Sequence, residues 1–313
     1  VVFVGDIPIP MLRKAQHMTS AFKMDEKNND WRDSSVPSDR FYDDFDLQFD
    51  FLKQDSVENN FFYYNLAIKS PQQIQCDIYS ARVKAVDNGE EPHAQISRYF
   101  KKVVAEHQIN NKLDQFFSYT GDGSYSNSLT AWTPETFTIR EQMPGVFDKE
   151  GRARFIRYNF SDYPKDDVIN MLKRTDLDLS IFHEHGMPER QYLSGSPATN
   201  RWNAHVDAMK YYYRGLARRK QNNKKSFDEM LDMMKNTYGL DSIWISGYDD
   251  PKVTTEDSLL DLRTGIILSE ITEFKPNSRI VIFDACYNGD FREKDYIAGR
   301  YILSLIHISE PTR

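Results

Sequence analysis

The sequence has very little cysteine and no long apolar segment. Cys76 and Cys286 are the only cysteines among 313 residues, which excludes a fold held together by disulfide bonds. No apolar run approaches the roughly 18 residues needed to cross a bilayer. Positive charge is not in excess either, because the net charge is −7 with both signs interspersed. We therefore predict no nucleic-acid partner and no membrane-spanning segment.

Both ends of the chain look incomplete. The sequence begins without methionine, inside the strand-like VVFV, so the lack of a signal peptide says nothing about secretion. Residues 303–313, LSLIHISEPTR, resemble the in-frame translation of a sequencing adapter. We interpret them as a non-native tail and expect one incomplete domain over residues 1–302.

Short apolar runs predict strands, and longer stretches with a helical period predict helices. The predicted strands are 1–4, 77–83, 112–119, 154–160, 177–182 and 280–283, with a short one at 243–246. The predicted helices are 93–108, 164–175, 203–221, 226–238 and 257–274, the last capped by Thr254 or Thr255 and stopped at Pro276. This alternation predicts an α/β fold with a mostly parallel sheet and helices on both faces.

A thiol follows the strand predicted at 280–283. This run, IVIF, is rich in β-branched residues and is expected to be buried on both faces of the sheet, and the strand at 1–4 is also expected to be buried. It ends in Asp284-Ala285-Cys286, and the turn residues Asn288-Gly289 come next. Open α/β sheets carry their chemistry at the carboxyl ends of strands. Cys286 is therefore the candidate nucleophile, whereas Cys76 is predicted to be an inert buried thiol.

A histidine follows the strand predicted at 177–182, which runs into His183-Glu184-His185-Gly186. A cysteine peptidase needs a thiolate, an imidazole to protonate the leaving amine, and amide donors for the oxyanion. Cys286 can supply the thiolate and His185 the imidazole. The amide of Gly186 can approach the oxyanion closely because no Cβ obstructs it, and the amide of Cys286 is the second expected donor.

Metal sites are the alternative use of these polar residues. His183 and His185 are two apart, so on one strand they would share a face while Glu184 points the other way. His183 then either packs structurally or binds zinc with His185 and a third ligand, although no HExxH pattern is present. In the acidic segment 37–55, four carboxylates could bind calcium but lack the EF-hand spacing, so a solvated acidic loop is favoured. They are Asp39, Asp43, Asp44 and Asp46.

Several motifs together resemble a known family. They are VVFVGDIP, PSDRFYDD followed by DIYSARVKA, the strand ending in HEHG, and FDACYNGDF. In this order they are similar to the catalytic domain of the gingipain family of cysteine peptidases, a branch of the caspase-like fold. The resemblance implies an α/β/α sandwich and peptide-bond hydrolysis through a covalent thioester. It makes His185 the catalytic histidine and Cys286 the nucleophile. The family's acidic residue that orients the histidine matches Asp122 best, although Asp122 is also interpretable as a plain turn residue.

The chain departs from this family between His185 and Cys286, where the gingipains have a short connection. We predict a helical insertion at about 198–240, which either caps the site or merely covers the sheet. Substrate preference therefore cannot be carried over. The resemblance implies no cofactor for catalysis, allows a structural calcium ion, and favours an extracellular or bacterial cell-envelope location.

The resulting hypothesis is a cysteine endopeptidase acting on protein or peptide substrates. Three alternatives remain open. The first is a sortase-type transpeptidase, in which an amine rather than water resolves the thioester. The second is a non-enzymatic surface or adhesion module with the same fold. The third is a metallohydrolase centred on His183 and His185.

Overall fold

The computed structural model describes residues 1–13, 27, 29–73, 75–121, 138, 141–147, 149–157, 164–194, 202–222 and 226–304. The chain divides into two compact units, Val1–Ser97 with Phe291–Lys294, and Arg98–Asp290 with Asp295–Arg313. In the described residues, no helix is at once long and apolar enough to cross a membrane.

The first unit contains a four-stranded mixed sheet and a separate pair of parallel strands. Its elements are β1 Val2–Val4, β2 Ile9–Arg13, β3 Val36–Pro37, α1 Arg40–Asp43, β4 Phe49–Gln54, β5 Phe61–Leu66 and β6 Ala81–Val83. The sheet order is β3-β2-β5-β4, with β2 and β5 parallel, and β1 pairs with β6. Ile9, Met11, Phe61 and Tyr63 form its buried apolar cluster.

Two strand predictions in this unit need correction. The strand near the start of the chain exists, but Val2 and Val4 are exposed rather than buried. In the described part of the chain β1 pairs only with the short β6, so little covers its side chains. The strand predicted at 77–83 is shorter than expected and forms only at Ala81–Val83.

The second unit contains a four-stranded sheet whose strands are all parallel. These strands are β7 Phe116–Thr120, β8 Ala153–Arg157, β9 Leu179–His183 and β13 Ile280–Asp284, in the order β13-β9-β7-β8. A small antiparallel sheet consists of β10 His185–Met187, β11 Arg190–Tyr192 and β12 Gly265–Ile267. The predicted α/β class with a parallel sheet is confirmed in this unit.

The helices after β6 follow the predicted positions closely, with one exception. They are α2 Pro92–His107, α3 Pro164–Leu172, α4 Trp202–Asn222, α5 Phe227–Tyr238, α6 Pro251–Leu262, α7 Leu268–Phe274 and α8 Ile297–Leu303. The exception is the long helix expected at 257–274, which is two helices separated by β12. Gly265 explains the break, because a Cβ there would lie 2.1 Å from the carbonyl oxygen of Gln191, so only glycine lets β12 pair so closely with β11.

The start of α6 also differs from the prediction. Asp250, not Thr254 or Thr255, is its N-cap, and its side chain accepts a hydrogen bond from the amide of Lys252. Pro251 occupies the first turn, where its missing N–H costs nothing. The strand expected at 243–246 is instead a 3₁₀ turn at Ser242–Trp244.

The helices predicted at 203–221 and 226–238 are confirmed as α4 and α5. Helix α5 begins with a capping box, in which Ser226 and Glu229 each bond the other's backbone amide. It ends at Gly239, whose φ of 65° is the left-handed conformation that glycine favours. Ala217 and Met234, from α4 and α5, belong to a small buried cluster with Ile245 and Tyr248.

The main core of the second unit lies on one face of the parallel sheet, and Phe116, Leu179 and Ile181 form a smaller buried cluster on the other face. Phe117, Tyr119 and Phe182 point into the main core from neighbouring strands and are fully buried. Phe283 of β13 stacks on Phe182 with ring centroids 5.5 Å apart, and Tyr301 of α8 packs edge-on against Phe283. These contacts tie β13 and β9 together directly beneath the loops that follow them.

Strand β13 is not buried on both faces as predicted. It is an edge strand among the described residues, pairing only with β9. Val281 and Phe283 pack against the core, whereas Ile280 and Ile282 are 49% and 47% exposed on the other face. Successive side chains of a strand point to opposite faces, so a continuous apolar run places apolar residues on both faces. The sequence does not show whether other elements cover both of these faces.

Candidate catalytic site

The strands that precede His185 and Cys286 are neighbours. β13 and β9 are parallel, and their last residues, Asp284 and His183, are register partners. The pairing continues one step further, because the amide of Glu184 donates a hydrogen bond of 3.2 Å to the carbonyl of Asp284. Each candidate catalytic residue lies two positions beyond this paired end. The two segments, about 100 residues apart in sequence, therefore leave the sheet side by side.

The loops after these strands are in direct contact at Gly186. A Cβ atom at this position would lie 2.5 Å from the carbonyl oxygen of Cys286 and 2.6 Å from the side chain of Asn288. Real Cβ atoms essentially never come within 3.0 Å of another heavy atom in this way. The residue after His185 thus packs backbone to backbone against Cys286, which only glycine permits.

Asn288 holds the two loops together. Its buried side-chain amide donates hydrogen bonds of 2.7 Å to the carbonyl of Met187 and 2.9 Å to that of Arg190. Its own backbone amide donates to the carbonyl of Cys286 at 2.8 Å. In the sequence, Asn288 is recognisable only as a turn residue. Its second role depends on partners about 100 positions away, which no local pattern reveals.

The loop that carries Cys286 is tightly wound. Tyr287 has a φ of 59°, in the left-handed region that disfavours residues with a side chain. It lies between Cys286 and Asn288, and the backbone amide of Asn288 donates a hydrogen bond to the carbonyl of Cys286. The predicted turn at Asn288-Gly289 is present, but the left-handed residue is Tyr287 rather than the glycine. Unusual backbone conformations of this kind concentrate at functional sites. The thiol of Cys286 is exposed, so a substrate can reach it.

His185 belongs to the small antiparallel sheet and not to β9. The strand breaks at Glu184, and His185 begins β10, where it is the register partner of Tyr192. His185 is half-buried and lines an open cavity. The prediction that both histidines share one strand and one face was therefore wrong, since alternation holds only within a continuous strand.

His183 makes a structural pair instead of sharing a site with His185. Its Nδ1 atom lies 3.0 Å from Oδ2 of Asp284, the residue opposite it in the sheet. This favours the structural interpretation of His183. Among the residues that the structure describes, no group of three or more His, Cys, Asp or Glu side chains is arranged to hold a metal ion.

Glu184 points into the protein on the side of the main core. Its Oε1 atom accepts a hydrogen bond of 2.7 Å from Gln191, whose own oxygen accepts one from the hydroxyl of Tyr301. Burial raises the pKa of Glu184 to about 8, against the opposing effects of the Gln191 hydrogen bond and His183. At neutral pH this carboxyl group is therefore mostly protonated.

Three other expectations have different outcomes. Asp122 lies outside the described residues, so its role stays a prediction. Cys76 is exposed, and the prediction of a buried thiol was wrong. The favoured solvated loop was also wrong for Asp43 and Asp44, which are buried.

The acidic segment is folded through specific contacts. Asp43 is bonded by Arg40 and Ser80, and Asp44 accepts a hydrogen bond of 2.9 Å from the amide of Gln75. Asp39 is paired with Arg82, while Asp46 is exposed. One oxygen of Asp43 and one of Asp44 are buried with no partner in the described part. Calcium takes six to eight oxygen ligands, which include backbone carbonyls and waters, so these two oxygens would supply only part of such a set.

Comparisons with protein-family models, with curated proteins and with solved structures find no match to this chain.

Substituting Asn288 with alanine is expected to destabilise the second unit. The change leaves the buried carbonyl of Arg190 and the partly buried carbonyl of Met187 without their donor, which costs about 2–3 kcal/mol in the free energy of unfolding. Urea titration would measure the loss. Asn277→Ala is the matched control, because Asn277 makes a similar 2.8 Å bond to the carbonyl of Lys173 at an exposed position. Equal losses in the two variants would contradict the bridging role of Asn288.

Replacing Glu184 with glutamine is expected to change how stability depends on pH. The unfolded carboxyl loses its proton near pH 4.5, whereas the folded one keeps it up to about pH 8. The folded state therefore binds more protons in this window, and the free energy of unfolding falls as the pH rises through it. Glutamine cannot titrate, so the stability of the variant relative to the parent should increase from about pH 5 to about pH 8.

Denaturant unfolding across this pH range tests the expectation, because the ionisations common to both proteins cancel in the difference. Glu189→Gln, at an exposed neighbouring position, is the matched control. A difference for Glu184→Gln no more pH-dependent than for this control would show that Glu184 is not held protonated by burial.

Proposed function

We propose that the chain is part of a cysteine peptidase with Cys286 as the nucleophile and His185 as the general acid and base. One observation carries the proposal: Gly186 packs against the carbonyl of Cys286, so the His-Gly and Ala-Cys segments meet at the ends of two paired parallel strands. This is the edge of a parallel sheet where catalytic groups are typically found. The exposed thiol and the cavity beside His185 leave room for a substrate.

In the proposed reaction the imidazole of His185 takes the thiol proton as Cys286 Sγ attacks the scissile carbonyl carbon. The amides of Gly186 and Cys286 stabilise the oxyanion of the tetrahedral intermediate. The C–N bond then breaks, His185 gives the proton to the departing amine, and a thioester remains on Cys286. Water, deprotonated by His185, attacks the thioester and releases the acid with the thiol regenerated.

The proposal extends to the fold family and to the acidic residue of the site. The parallel sheet is interpreted as the core of a caspase-like fold, and Asp122 as the residue that orients His185. Structural calcium and an extracellular or cell-envelope location stay predictions that rest on the resemblance alone.

An electrophilic peptide probe tests the proposed nucleophile in the full chain. We expect a single covalent adduct at Cys286, located by mass spectrometry, because in the proposed reaction His185 takes the proton of this thiol. Cys76 is an internal control, since it is also exposed but belongs to the other unit. Equal labelling of both cysteines, or undiminished labelling of Cys286 in a His185→Ala variant, would count against the proposal.

Product masses separate hydrolysis from transfer. With a peptide substrate alone, a hydrolase releases a free acid, and an added amine should not change this product. Formation of an amide with the added amine in place of the acid would instead assign the chain to the sortase-type transpeptidases.

A further inference from the structure

A cavity of about 680 Å³ opens beside His185 in the second unit. One side of it is formed by His185 and Tyr192 of the small antiparallel sheet, and another by Tyr211, Tyr212 and Arg219 of helix α4. Helix α6 completes the lining through Asp257 and Asp261, among other residues. The cavity can hold an amino-acid side chain. His185 lines the cavity, and the next residue, Gly186, contacts Cys286, so the cavity adjoins the segment that packs against the proposed nucleophile.

Both carboxylates in the lining are already paired. Asp257 is only 2% exposed and is bonded by the guanidinium groups of Arg214 and Arg218. Burial opposes its ionisation, but the hydrogen bonds from the two arginines lower its pKa overall, so it remains charged and matched. The cavity therefore presents no unmatched negative charge at this position.

Asp261 is matched in the same way. Arg190 bonds both its side chain and its backbone carbonyl, and the hydroxyl of Tyr211 donates to its other carboxylate oxygen. Burial, together with the hydrogen bond to Asp261, raises the pKa of Tyr211, which keeps this hydroxyl a donor. A basic side chain entering the cavity would share Asp261 with Arg190 and Tyr211 and would not meet an unpaired carboxylate.

Arg219 is the charge that stays available. It is exposed, lines the cavity, and forms no ion pair with a carboxylate in the described part of the chain. The lining carries Arg218 and Arg219 against Asp257 and Asp261, and Arg190 and Arg214 also bond these carboxylates. Within the described residues, Arg219 is therefore the cation of the lining that a substrate carboxylate can pair with, beside the rings of Tyr211 and Tyr212.

Resting on the proposed function, we propose that this cavity binds a carboxylate of the peptide substrate, supplied by an aspartate or glutamate side chain next to the scissile bond. Arg219 is the specificity-determining residue, because its guanidinium group can form a bidentate pair with a carboxylate. The cavity walls come mainly from α4 and α6, which lie in the long segment between His185 and Cys286. This acidic preference is therefore a property of this chain's own residues.

The test uses peptides capped at both ends, so that a side chain supplies the only carboxylate. Pairs of peptides differ by Glu against Gln, or Asp against Asn, next to the cleavage site. We expect the full chain to cleave the acidic member with a kcat/KM about tenfold higher or more, since one charged hydrogen-bonded pair is worth that much. Arg219→Gln should reduce this ratio to near one, mainly through KM, and Arg219→Lys should restore part of it.

Lys252→Gln is the matched control, because Lys252 is exposed on α6 and does not line the cavity. It should leave the Glu-to-Gln ratio unchanged. Cleavage with no acidic preference, or a preference that survives in Arg219→Gln, would overturn the inference while leaving the peptidase proposal intact. No cleavage together with no probe labelling at Cys286 would instead reject the proposed function and this inference with it. Cleavage only of peptides with a free C-terminus would assign the cavity to the terminal carboxylate and also overturn the proposal.

Discussion

Substituting Cys286 with alanine is expected to reduce peptide cleavage by about 10³-fold or more. The proposed reaction passes through a thioester on this sulfur, and without it no covalent intermediate can form. Losses of this size are typical when the nucleophile is removed from a set of catalytic residues that act together. The change should leave folding nearly intact, because the side chain is exposed.

Initial rates with a fluorogenic peptide measure this effect, and far-ultraviolet circular dichroism shows whether the fold is retained. Cys76→Ala, which removes the other exposed thiol, should keep the parent rate. Full activity in Cys286→Ala would end the interpretation of this site as a cysteine peptidase, and so would equal losses in both variants.

Adding a single methyl group at Gly186 is expected to affect both stability and activity. The new Cβ would lie 2.5 Å from the carbonyl oxygen of Cys286 and 2.6 Å from Asn288, so at least one loop must move. Overpacking of this kind costs about 1–3 kcal/mol in the free energy of unfolding. Displacing the Cys286 loop by about 1 Å would reduce the cleavage rate by about 100-fold.

The matched control for this change lies in the same loop. A Cβ at Gly289 would meet no atom within 4 Å, so Gly289→Ala should stay within about 0.5 kcal/mol of the parent. Urea unfolding and peptide cleavage would be measured on both variants. If Gly186→Ala behaved like Gly289→Ala, the close packing of the His-Gly and Ala-Cys segments would be wrong, and with it the main support for the proposed function.

Several elements of the second unit were predictable from local chemistry. The capping box of Ser226 and Glu229 and the left-handed Gly239 define the ends of α5 in the sequence itself. The apolar run before Asp284 predicted β13, and the run before His183 predicted β9. Both are observed as parallel neighbours. These predictions succeeded because strand and helix patterns depend on residues a few positions apart.

The predictions that failed depend on distant partners. The expected helix at 257–274 is interrupted because β12 pairs with β11, more than 70 positions earlier in the chain. For Glu184 the sequence predicted only that its side chain points away from the face of the two histidines. Its burial beside Gln191 and Tyr301 raises its pKa to about 8. Arg219 lies in the basic run Arg218-Arg219-Lys220, and only the fold places it in a cavity with His185.

The sequence by itself determined where most strands and helices form, and it identified Cys286, His185 and Gly186 as residues that follow strands. Only the tertiary structure decided that β13 has one exposed face, that His183 pairs with Asp284, and that Arg219 lines the same cavity as His185. The physical reason is one of range. Backbone conformation is largely encoded by neighbouring residues, whereas burial, ion pairing and local charge depend on segments that folding brings together from far apart in the chain.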